Sequence, residues 1–556
     1  MLKNGNNEKL WETIRNADCY ADFRNTLSDF YDEMNEEIPV LKFNDFIDYF
    51  KTGTRLMYEK KYFHRRGQLI AAAGMYLIEK KEEYLNRLED VIWAICDEYT
   101  WALPAHILNE QNTEKSRVYI DLFAGETSFA LSEICALIGD KLHPWVYDRV
   151  KHEIERRIIL SYESSHFFWE NVEMNWAAVC CGSVGACYMY LFPERFAAVK
   201  ERMINTMKCF LHGFGTDGCC REGMSYWNYG FGFFTYFADL LLQFTDGQDD
   251  LFAEETAHLA AGFQQQAFLN PTTVISFADC GPDSKVEPGI ISYLAQHYGG
   301  GVFCTGVSAD ILDLNDRCRR WTAFIRNLLW SNDEVTKPKR PDDFHYFADA
   351  QWYINHRGPF ALAAKGGHND EPHNHNDLGG FILADDSEQI LCDFGSGLYT
   401  HAYFQPETRY NVVTNSSFGH SVPIIDGEGQ TPGADIHASV IRADKNVFEL
   451  DIAQAYDVDG LNGAVRRIEV TGDRITITDR FEFTKGVHGI KERFVTFHEP
   501  LQTEGAVRVK NMEIKTAQRA VVSTDIFTDH FGREHMYYII DFNTNGDVFE
   551  VEFCRG

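Results

Sequence analysis

The 556-residue sequence lacks a surplus of basic residues, and this excludes one class of function. It has 52 lysines and arginines against 83 aspartates and glutamates, a formal net charge of -31. Sequence-neutral binding of nucleic acids needs a positively charged footprint, and none is visible. The same acidic balance argues against a polyanionic substrate, although bulk charge says little about the charge of one cleft.

Two further absences concern membranes and export. No run of about 18 apolar residues occurs, so no membrane span is predicted. The first residues, MLKNGNNEKLWETIRNADCY, contain no apolar signal-peptide core. The 14 cysteines form no CxxC pair and no regular framework, which fits reduced thiols. The sequence predicts a cytoplasmic protein, or a periplasmic or secreted one if a leader has been removed.

Apolar residues at three- and four-residue spacing run through the first part of the chain, to about residue 330, and predict helices. Many segments are apolar nearly all round, which indicates burial within a multi-helix assembly. Short polar or Gly-containing breaks between them suggest stacked antiparallel helix pairs. A ring of such hairpins, an α/α toroid, is one solution, and a helical solenoid is the other, although no strict repeat length occurs. The clearest segments are 67–79, 88–98, 123–138, 176–191, 196–210 and 229–244.

The period of the pattern changes after NDEVTKPKRPDDFHYF, residues 332–347. Two prolines and mixed charge make this stretch the best linker candidate. Beyond it, short segments such as VFELDI, RIEVT and RITITDRFEF alternate apolar with polar residues, as in an antiparallel β-sandwich. We therefore predict an α+β multidomain chain, with an α/α toroid domain at 1–335 and an antiparallel β-sandwich domain at 336–556.

A cluster of histidines and acids lies near the start of the predicted β half. It is GGHNDEPHNHNDLGGFILADDSEQILCDFGSG, residues 366–397, where a Gly-rich turn stands before two buried-looking strands. Residues two apart in an extended segment share a face, so His373 and His375 can point into one cavity. Local twist or a bulge could aim one at a metal and the other at a substrate. Because ligand sites favour domain interfaces, we expect these histidines to face the helical half.

A histidine further along completes a candidate metal site. His420 lies in RYNVVTNSSFGHSVPIIDG, between a polar turn and a short apolar strand. His375, Asp393 and His420 together offer two nitrogens and one carboxylate, which suits Zn²⁺ with one open or water-filled position. The spacing alone leaves a hydrogen-bonded triad without metal equally open.

Two polar and aromatic stretches of the helical half could meet the histidine cluster. The first is SSHFFWENVEMNWAAVCC, residues 164–181, where Asn175 begins an apolar helix. Its amide could donate a hydrogen bond to an anionic or carbonyl oxygen, or Asn175 could be only an N-cap.

The second stretch is GTDGCCREGMSYWNYGFGFF, residues 215–234. Tyr226 and Tyr229 lie three apart and can share a helix face. A tyrosine is a useful acid or base only when a nearby cation lowers its pKa of about 10. An aromatic stripe at this spacing is more often core than catalytic, but the flanking glycines and the adjacent pair Arg221 and Glu222 favour a site.

These motifs resemble the heparinase II/III family of polysaccharide lyases and its alginate-lyase relatives. The match is in DLFAGETS, MNWAAVCCG, DGCCREGMSYWNYG, HNHNDLGGF with the CDFG that follows, and NSSFGHSVPIIDG. The resemblance implies an N-terminal α/α toroid joined to an antiparallel β-sandwich. It also implies cleavage of uronic-acid polysaccharides by β-elimination.

Matched motif to motif, the resemblance implies roles for single residues. Asn175 would bind and neutralise the uronate carboxylate, Tyr226 would be the general acid/base, and His373 the partner base. The positions that hold a structural zinc in some members fall on His375, Asp393 and His420. Further residues expected to bind the substrate are Trp101, His106, Trp176, Arg221, Trp227, Tyr229 and Arg409.

One departure from the family pattern is Trp176, because several relatives have a histidine directly after the asparagine. If that histidine helps to neutralise the carboxylate or to take the proton, its role must be absent or moved in this chain. His166, Arg221 or Arg409 could substitute for it.

Other functions of the same scaffold stay open. One is an alginate or oligoalginate lyase. A glycoside hydrolase would need two carboxyl groups across the scissile bond, with Glu173, Glu222 and Asp377 as candidates. The clustered Asn, Tyr and His favour elimination instead. A non-catalytic uronate-binding protein is favoured only by Trp176 in place of the histidine.

The expected partner is a uronate-containing oligo- or polysaccharide, with glycosaminoglycans first among the candidates. A cytoplasmic enzyme would act on imported oligosaccharides, because long polysaccharides do not enter cells, and this predicts exolytic cleavage. No nucleic-acid or membrane partner is expected, and a homo-oligomer is left open.

Overall fold

Helices occupy the first part of the chain and antiparallel strands the second, as the change of period predicts. The computed structural model describes residues 7–107, 113–544 and 546–556. All 14 cysteines lie within these ranges and are free. Within the same ranges, no helix is both long and apolar enough to span a membrane.

The α-helices cover most of the chain up to residue 336. Two further helical segments, Glu155–Ile159 and Trp227–Phe231, have π geometry. The α-helices are Glu8–Asn16, Ala21–Met34, Phe43–Thr52, Leu56–Glu79, Glu82–Cys96, Thr113–Arg117, Leu122–Ile138, Pro144–Ile154, Leu160–Ser164, Asn175–Leu191, Pro193–Phe196, Lys200–His212, Met224–Tyr226, Gly232–Phe244, Glu255–Gln266, Pro288–Tyr298, Trp321–Trp330 and Asp333–Thr336.

The helix Asn175–Leu191 lies at the centre of the helical region, where every residue except Trp176 and Tyr190 is buried. Its small residues permit close packing, since a Cβ at Gly185 would lie 2.4 Å from the ring of Phe237. A helix without a polar face is expected at such a central position. Its main neighbours are Leu122–Ile138, Lys200–His212 and Gly232–Phe244.

Consecutive helices pair as expected. Leu56–Glu79 packs against Glu82–Cys96 across a tight turn, in which Lys80 has a φ of 57° and its N–H donates to the carbonyl of Tyr76. The helical N-terminal region is confirmed, whereas closure of the helix pairs into a toroid stays a prediction.

The strands form antiparallel sheets. In the five-stranded sheet the order of neighbours is Phe344–Phe347, Trp352–Asn355, Ala361–Lys365, Phe381–Ala384 and Gln389–Leu391. In the eight-stranded sheet it is Ser439–Asp444, Val447–Asp451, Leu461–Val470, Arg474–Phe483, Val548–Arg555, Met512–Lys515, Ala506–Val509 and Leu501–Thr503. In the four-stranded sheet it is Ala520–Thr528, Glu534–Thr544, Ile490–Thr496 and Pro423–Ile425. Two short pairs are Phe268–Asn270 with Thr273–Val274, and Gly433–His437 with His368–Asn369.

The three larger sheets share one hydrophobic core. Phe381 of the five-stranded sheet, Phe494 of the four-stranded sheet and Phe553 of the eight-stranded sheet are in mutual contact, with ring centroids 5.5–5.9 Å apart. The antiparallel β-sandwich predicted from the two-residue period is confirmed.

The five-stranded sheet lies between the sandwich and the helices. Trp352 and Ile354 belong to the core of the helical region, whereas Tyr353 between them belongs to the sandwich core. Such alternation is expected of a strand that is buried on both faces.

The predicted linker is shorter than expected. Residues 332–347 include the helix Asp333–Thr336 and the strand Phe344–Phe347, so only about seven residues between them are irregular. Because the sheet that follows shares a core with the helices, the division of the chain into domains at 335 and 336 stays a prediction.

Candidate functional site

The histidine cluster lies in the loop that joins Ala361–Lys365 to Phe381–Ala384, on the side of the helical region. The expectation of an extended HNH segment is wrong, because His373 has a φ of 60° in the left-handed region. Both histidines nevertheless reach one carboxylate. His373 Nδ1 lies 2.7 Å from Asp279 Oδ2, and His375 Nε2 lies 3.1 Å from Asp279 Oδ1.

Asp279 is a buried residue of the helical half that the sequence reasoning missed. It follows the apolar run VISFA after the short strand Thr273–Val274, and Ala278 before it has a φ of 58°. Hydroxyl groups of Tyr399, at 2.9 Å, and of Tyr403 also donate to its carboxylate. An acid that follows a buried apolar run is the only signal in the sequence, and it does not point to histidines 94 and 96 residues away.

The surroundings of Asp279 favour its ionised form, and they favour the neutral form of the nearby tyrosines. Burial opposes its ionisation, but hydrogen bonds from His373 and His375 outweigh burial and hold the pKa of Asp279 well below its usual range. Burial, reinforced by this carboxylate, raises the pKa values of Tyr226 and Tyr399 well above their ordinary value.

Tyr226 contacts His373 directly. The two rings stack with centroids 4.3 Å apart and 24° between planes. The Tyr226 hydroxyl lies 2.9 Å from the hydroxyl of Tyr399 and 3.5 Å from His373 Nδ1. Because the shorter contact of Nδ1 is with Asp279, the hydroxyl of Tyr226 bonds mainly to Tyr399. Tyr226 ends the short helix Met224–Tyr226, immediately before a π-helical segment of the kind often found at functional sites.

Asn175 joins this group through Glu222. The helix begins at Asn175 itself and Met174 occupies the N-cap, so the alternative reading of Asn175 as an N-cap is wrong. Its amide Nδ2 donates to Glu222 Oε1 at 2.6 Å, and its backbone N–H donates to Oε2 at 3.1 Å. Glu222 Oε1 also lies 3.5 Å from His373 Nε2.

Burial raises the pKa of Glu222, although the charge of His373 and the hydrogen bonds from Asn175 oppose this effect. The amide oxygen of Asn175 is buried and has no hydrogen-bond partner among the described residues. The structure therefore brings Asn175, Tyr226 and His373 together at the junction of the two regions. Glu222 connects Asn175 with His373.

Two of the tryptophans expected to bind substrate are core residues. Trp101 is fully buried, and its indole donates to the carbonyl of Ile95 at 2.9 Å. Trp227 is also fully buried and donates to the carbonyl of Ala260 at 2.7 Å. Assigning them to the substrate site is wrong, because neither ring is accessible and both polar atoms are used internally.

Other expected substrate-binding residues are partly accessible but do not all adjoin Tyr226. Trp176 packs edge-on against His106, with centroids 5.0 Å apart. Tyr229 donates to Glu126 and lies under the guanidinium of Arg320, at 4.2 Å. Tyr226 and Tyr229 therefore contact different partners.

The proposed substitutes for the missing histidine do not meet Asn175 within the described residues. Arg221 pairs with Glu371 at 3.2 Å, and Arg409 donates to the carbonyl of Asn374 at 2.8 Å. The side chain of His166 is 83% exposed and lies on the outer surface near Glu170. The imidazole that adjoins the Glu222–Asn175 pair is that of His373.

His375, Asp393 and His420 converge as the sequence predicts for a metal site. Their potential ligand atoms lie within 4.8 Å of one another, and all three residues are buried. His420 Nε2 donates to the carbonyl of Thr414 at 2.8 Å, which leaves Nδ1 to face Asp393 Oδ2 at 3.2 Å, as a donor to that carboxylate or, without its proton, as a metal ligand. Nδ1 of His375 is buried and has no hydrogen-bond partner in the part of the chain that the structure describes. Two imidazole nitrogens and one carboxylate are a donor set that fits Zn²⁺.

The carboxyl groups considered for hydrolysis lie apart. Glu173 is exposed at the surface. Asp377 accepts a hydrogen bond from Lys365 at 2.7 Å, and its other oxygen faces His420. Of these acids only Glu222 contacts His373, so a carboxyl pair across one bond is not supported.

One small cavity lies beside the loop that carries His373 and is lined by residues that include Arg221, Lys365 and Asn374. A second small cavity lies within the helical region and is lined in part by Glu126 and Arg320, the partners of Tyr229.

No protein-family model matches the sequence, and no curated protein matches it significantly. Solved structures do match. The heparan sulfate lyase of Pedobacter heparinus has a TM-score of 0.58 and 12% identity, covering 99% of this chain and 91% of that chain. A heparinase III has a TM-score of 0.58 and 11% identity, covering 89% and 77%. A chondroitin AC lyase of Streptomyces coelicolor A3, solved with chondroitin sulphate, has a TM-score of 0.56 and 9% identity, covering 99% and 82%.

At these identities the similarity concerns the fold. It extends over most of each chain, through the helical region and the sheets that hold Asn175, Tyr226 and His373. The chain has the heparinase II/III-like polysaccharide lyase fold.

Proposed function

We propose that this protein is a polysaccharide lyase that cleaves uronic-acid-containing glycans by β-elimination. The proposal rests on one observation, that three groups meet at the ring of His373. Tyr226 stacks on this ring, and Glu222, which accepts a hydrogen bond from Asn175, lies 3.5 Å from its Nε2. An amide, a phenol and an imidazole in contact supply the groups that the elimination requires. The lyase fold supports the same conclusion.

The reaction removes the C5 proton of a uronate and expels the glycosidic oxygen at C4. His373 Nε2 takes the C5 proton, and the C5–H electrons form the C4–C5 double bond as the C4–O bond breaks. Tyr226 gives its hydroxyl proton to the departing oxygen. Burial raises the pKa of Tyr226, contrary to the lowering expected for a catalytic tyrosine, and keeps the hydroxyl protonated before the reaction; the charge of Arg409 acts in the opposite direction.

Charge builds on the uronate carboxylate in the transition state. Asn175 is the donor proposed to stabilise it, with the substrate carboxylate replacing Glu222 as acceptor of its amide N–H. Removing one such preorganised donor costs about 3 kcal/mol in comparable sites.

The ultraviolet absorbance of the unsaturated product tests the proposal. Wild-type protein is expected to produce it from at least one member of a panel of uronate polymers and oligomers. Tyr226→Phe and His373→Ala are each expected to lower the rate by about 100-fold or more, because each removes a proton-transfer group. Tyr298→Phe, which loses a hydroxyl that donates to the remote carbonyl of Phe252, is the matched control. Full activity of either site variant would remove that residue from the mechanism.

The same panel decides the substrate class. Glycosaminoglycans are our first choice and alginate the second. Early appearance of unsaturated disaccharides would support the proposed exolytic cleavage, and random shortening of long chains would contradict it. A new reducing end without the chromophore would indicate a hydrolase, and binding without turnover a uronate-binding protein.

A zinc ion with a structural role is also proposed. His375, Asp393 and His420 would hold it, and when bound it would brace the loop that carries His373. Elemental analysis of protein purified without added metal is expected to give about one zinc per chain, and His420→Ala is expected to lose it together with several degrees of Tm. Substoichiometric zinc in every preparation would favour a hydrogen-bonded triad.

A further inference from the structure

Asp279 connects the imidazole of the proposed elimination site with the imidazole of the proposed metal site. Its two carboxylate oxygens each face one histidine, at 2.7 Å for His373 and 3.1 Å for His375. We propose that Asp279 is a positioning residue that fixes the tautomers of His373 and His375 and thereby prepares one ring for proton transfer and the other for metal. The inference rests on the proposed function and deepens it.

The surroundings of Asp279 make it an acceptor. Tyr399 and Tyr403 donate hydroxyl groups to it, and the guanidinium of Arg409 lies 3.8 Å away. An ionised carboxylate that is surrounded by hydrogen-bond donors can only accept hydrogen bonds from the two imidazole rings. The ring nitrogen that faces it must therefore carry a proton in each histidine.

Opposite tautomers follow for the two rings. His373 presents Nδ1 to Asp279, so in the neutral ring the proton is on Nδ1 and Nε2 is the basic nitrogen. Oε1 of Glu222 lies 3.5 Å from Nε2, too far for an ordinary hydrogen bond. His375 presents Nε2 to Asp279, so in the neutral ring its lone pair is on Nδ1, a buried atom without a hydrogen-bond partner in residues 7–107, 113–544 and 546–556. Since Nε2 is used by Asp279, Nδ1 is the nitrogen of His375 that is left for the cluster with Asp393 and His420.

The backbone is arranged to make this geometry. Ala278 and His373, which bring the carboxylate and the first imidazole together, both occupy the left-handed region that non-glycine residues rarely adopt. Arg409 donates to the carbonyl of Asn374 from two of its nitrogens, at 2.8 and 3.2 Å, and so holds the segment between the histidines. Strained residues held by several contacts are characteristic of functional sites.

Asp279→Asn distinguishes this role from simple packing. An amide has the same shape but one acceptor and one donor group, so it can keep the wild-type tautomer of only one histidine. If its NH₂ faces His373, the proton moves to Nε2 and the base is blocked. If its NH₂ faces His375, the proton moves to Nδ1 and the metal ligand is lost.

Three measurements on the full chain test the proposal: imidazole ¹⁵N spectra, zinc content, and kcat with KM on the substrate found in the ultraviolet screen. Signals are assigned by their loss in His373→Gln and His375→Gln. For Asp279→Asn we expect one of the two tautomers to change. If the tautomer of His373 changes, we expect kcat to fall by about 10–100-fold with little change in KM. If the tautomer of His375 changes, we expect the zinc affinity to fall by about 10–100-fold. Tyr403→Phe is the matched control, since it removes another hydrogen bond to Asp279 but leaves both tautomers unchanged.

An Asp279→Asn protein with both tautomers, zinc content and kcat of the wild type would overturn the proposal. If that variant does not fold, the wild-type spectrum decides alone, and a proton on Nε2 of His373 or on Nδ1 of His375 would overturn it. Failure of the proposed function is distinguishable, because the tautomers and zinc content can be measured even if no substrate yields an unsaturated product.

Discussion

Single residues at the site are held in conformations that the free chain would avoid. His373 has a φ of 60°, yet its ring contacts Tyr226 on its face and carboxylates at both nitrogens. A non-glycine residue in this region costs about 1–3 kcal/mol. The surrounding contacts offset that cost, so the ring is oriented before any substrate arrives.

A buried acid outside the site predicts a pH-dependent stability. Glu287 accepts a hydrogen bond from Asn327 at 2.6 Å, and burial raises its pKa to about 7. The folded chain keeps this proton at pH values where the unfolded chain has lost it, so its contribution to stability is full below about pH 4.5 and is lost as pH rises through 7. The Glu287→Gln variant has no carboxyl group at this position, so its stability lacks this pH dependence.

We therefore expect the free energy of unfolding of the wild type, relative to Glu287→Gln, to fall by about 1–2 kcal/mol from pH 5 to pH 8. This expected change is smaller than the pKa shift of Glu287 alone would give, because the residue is only half-buried and solvent screens its charge. Chemical denaturation of both proteins at the two pH values measures it. Glu334→Gln, at an exposed position, is the control, and a difference independent of pH would contradict the prediction.

At the scale of elements, the helical turn that carries Tyr226 packs directly on the loop of Asp279. Gly223, just before this turn, has a φ of 87°, and a Cβ there would lie 2.6 Å from the Cβ of Cys280. The absence of a side chain thus lets the acid/base candidate and the carboxylate approach each other.

Gly223→Ala is expected to push these two elements apart. The clash adds to the cost of the left-handed φ, so we expect about 3 kcal/mol of destabilisation and about 100-fold loss of kcat. Gly247→Ala is the matched control, because Gly247 also has a positive φ, of 82°, but no described residue outside its own turn lies within 4 Å of the added atom. Its expected cost is about 1 kcal/mol without loss of kcat, and equal effects of the two variants would refute the role of the contact.

At the scale of the whole molecule, the two regions share a core and the site. One face of the five-stranded sheet, including Trp352 and Ile354, packs among the helices. Gln389 Nε2 donates to the carbonyl of Val274 at 2.9 Å across the same boundary. The residues of the proposed elimination site come from both sides, with Tyr226 from one region and His373 from the other.

The shared core predicts that the sheet region does not fold well alone. Residues 336–556 produced separately would expose the helix-facing side of the five-stranded sheet, an apolar patch that promotes association. We expect this fragment to bind a hydrophobic dye and to aggregate, and coexpression with residues 1–335 to restore a soluble complex. A monomeric, dye-free fragment with dispersed NMR signals would contradict this.

Local sequence patterns were sufficient to predict the helices, the strands and part of the candidate site. The all-round apolar character of the helix Asn175–Leu191 and the two-residue period of Leu461–Val470 and Arg474–Phe483 predict their structures, because burial of a helix or strand leaves its period in the sequence. The motifs around Asn175, Tyr226 and His373 identified residues that the structure places together.

Long-range contacts needed the folded chain. Nothing in the sequence linked Asp279 to His373, and nothing distinguished the buried rings of Trp101 and Trp227 from rings that line a cleft. The amino-acid sequence by itself determined the periods, hence the helices, the strands and the chemical types available for a site. The tertiary structure alone decided which side chains meet, because contacts between distant residues depend on how the elements pack and leave no regular spacing along the chain.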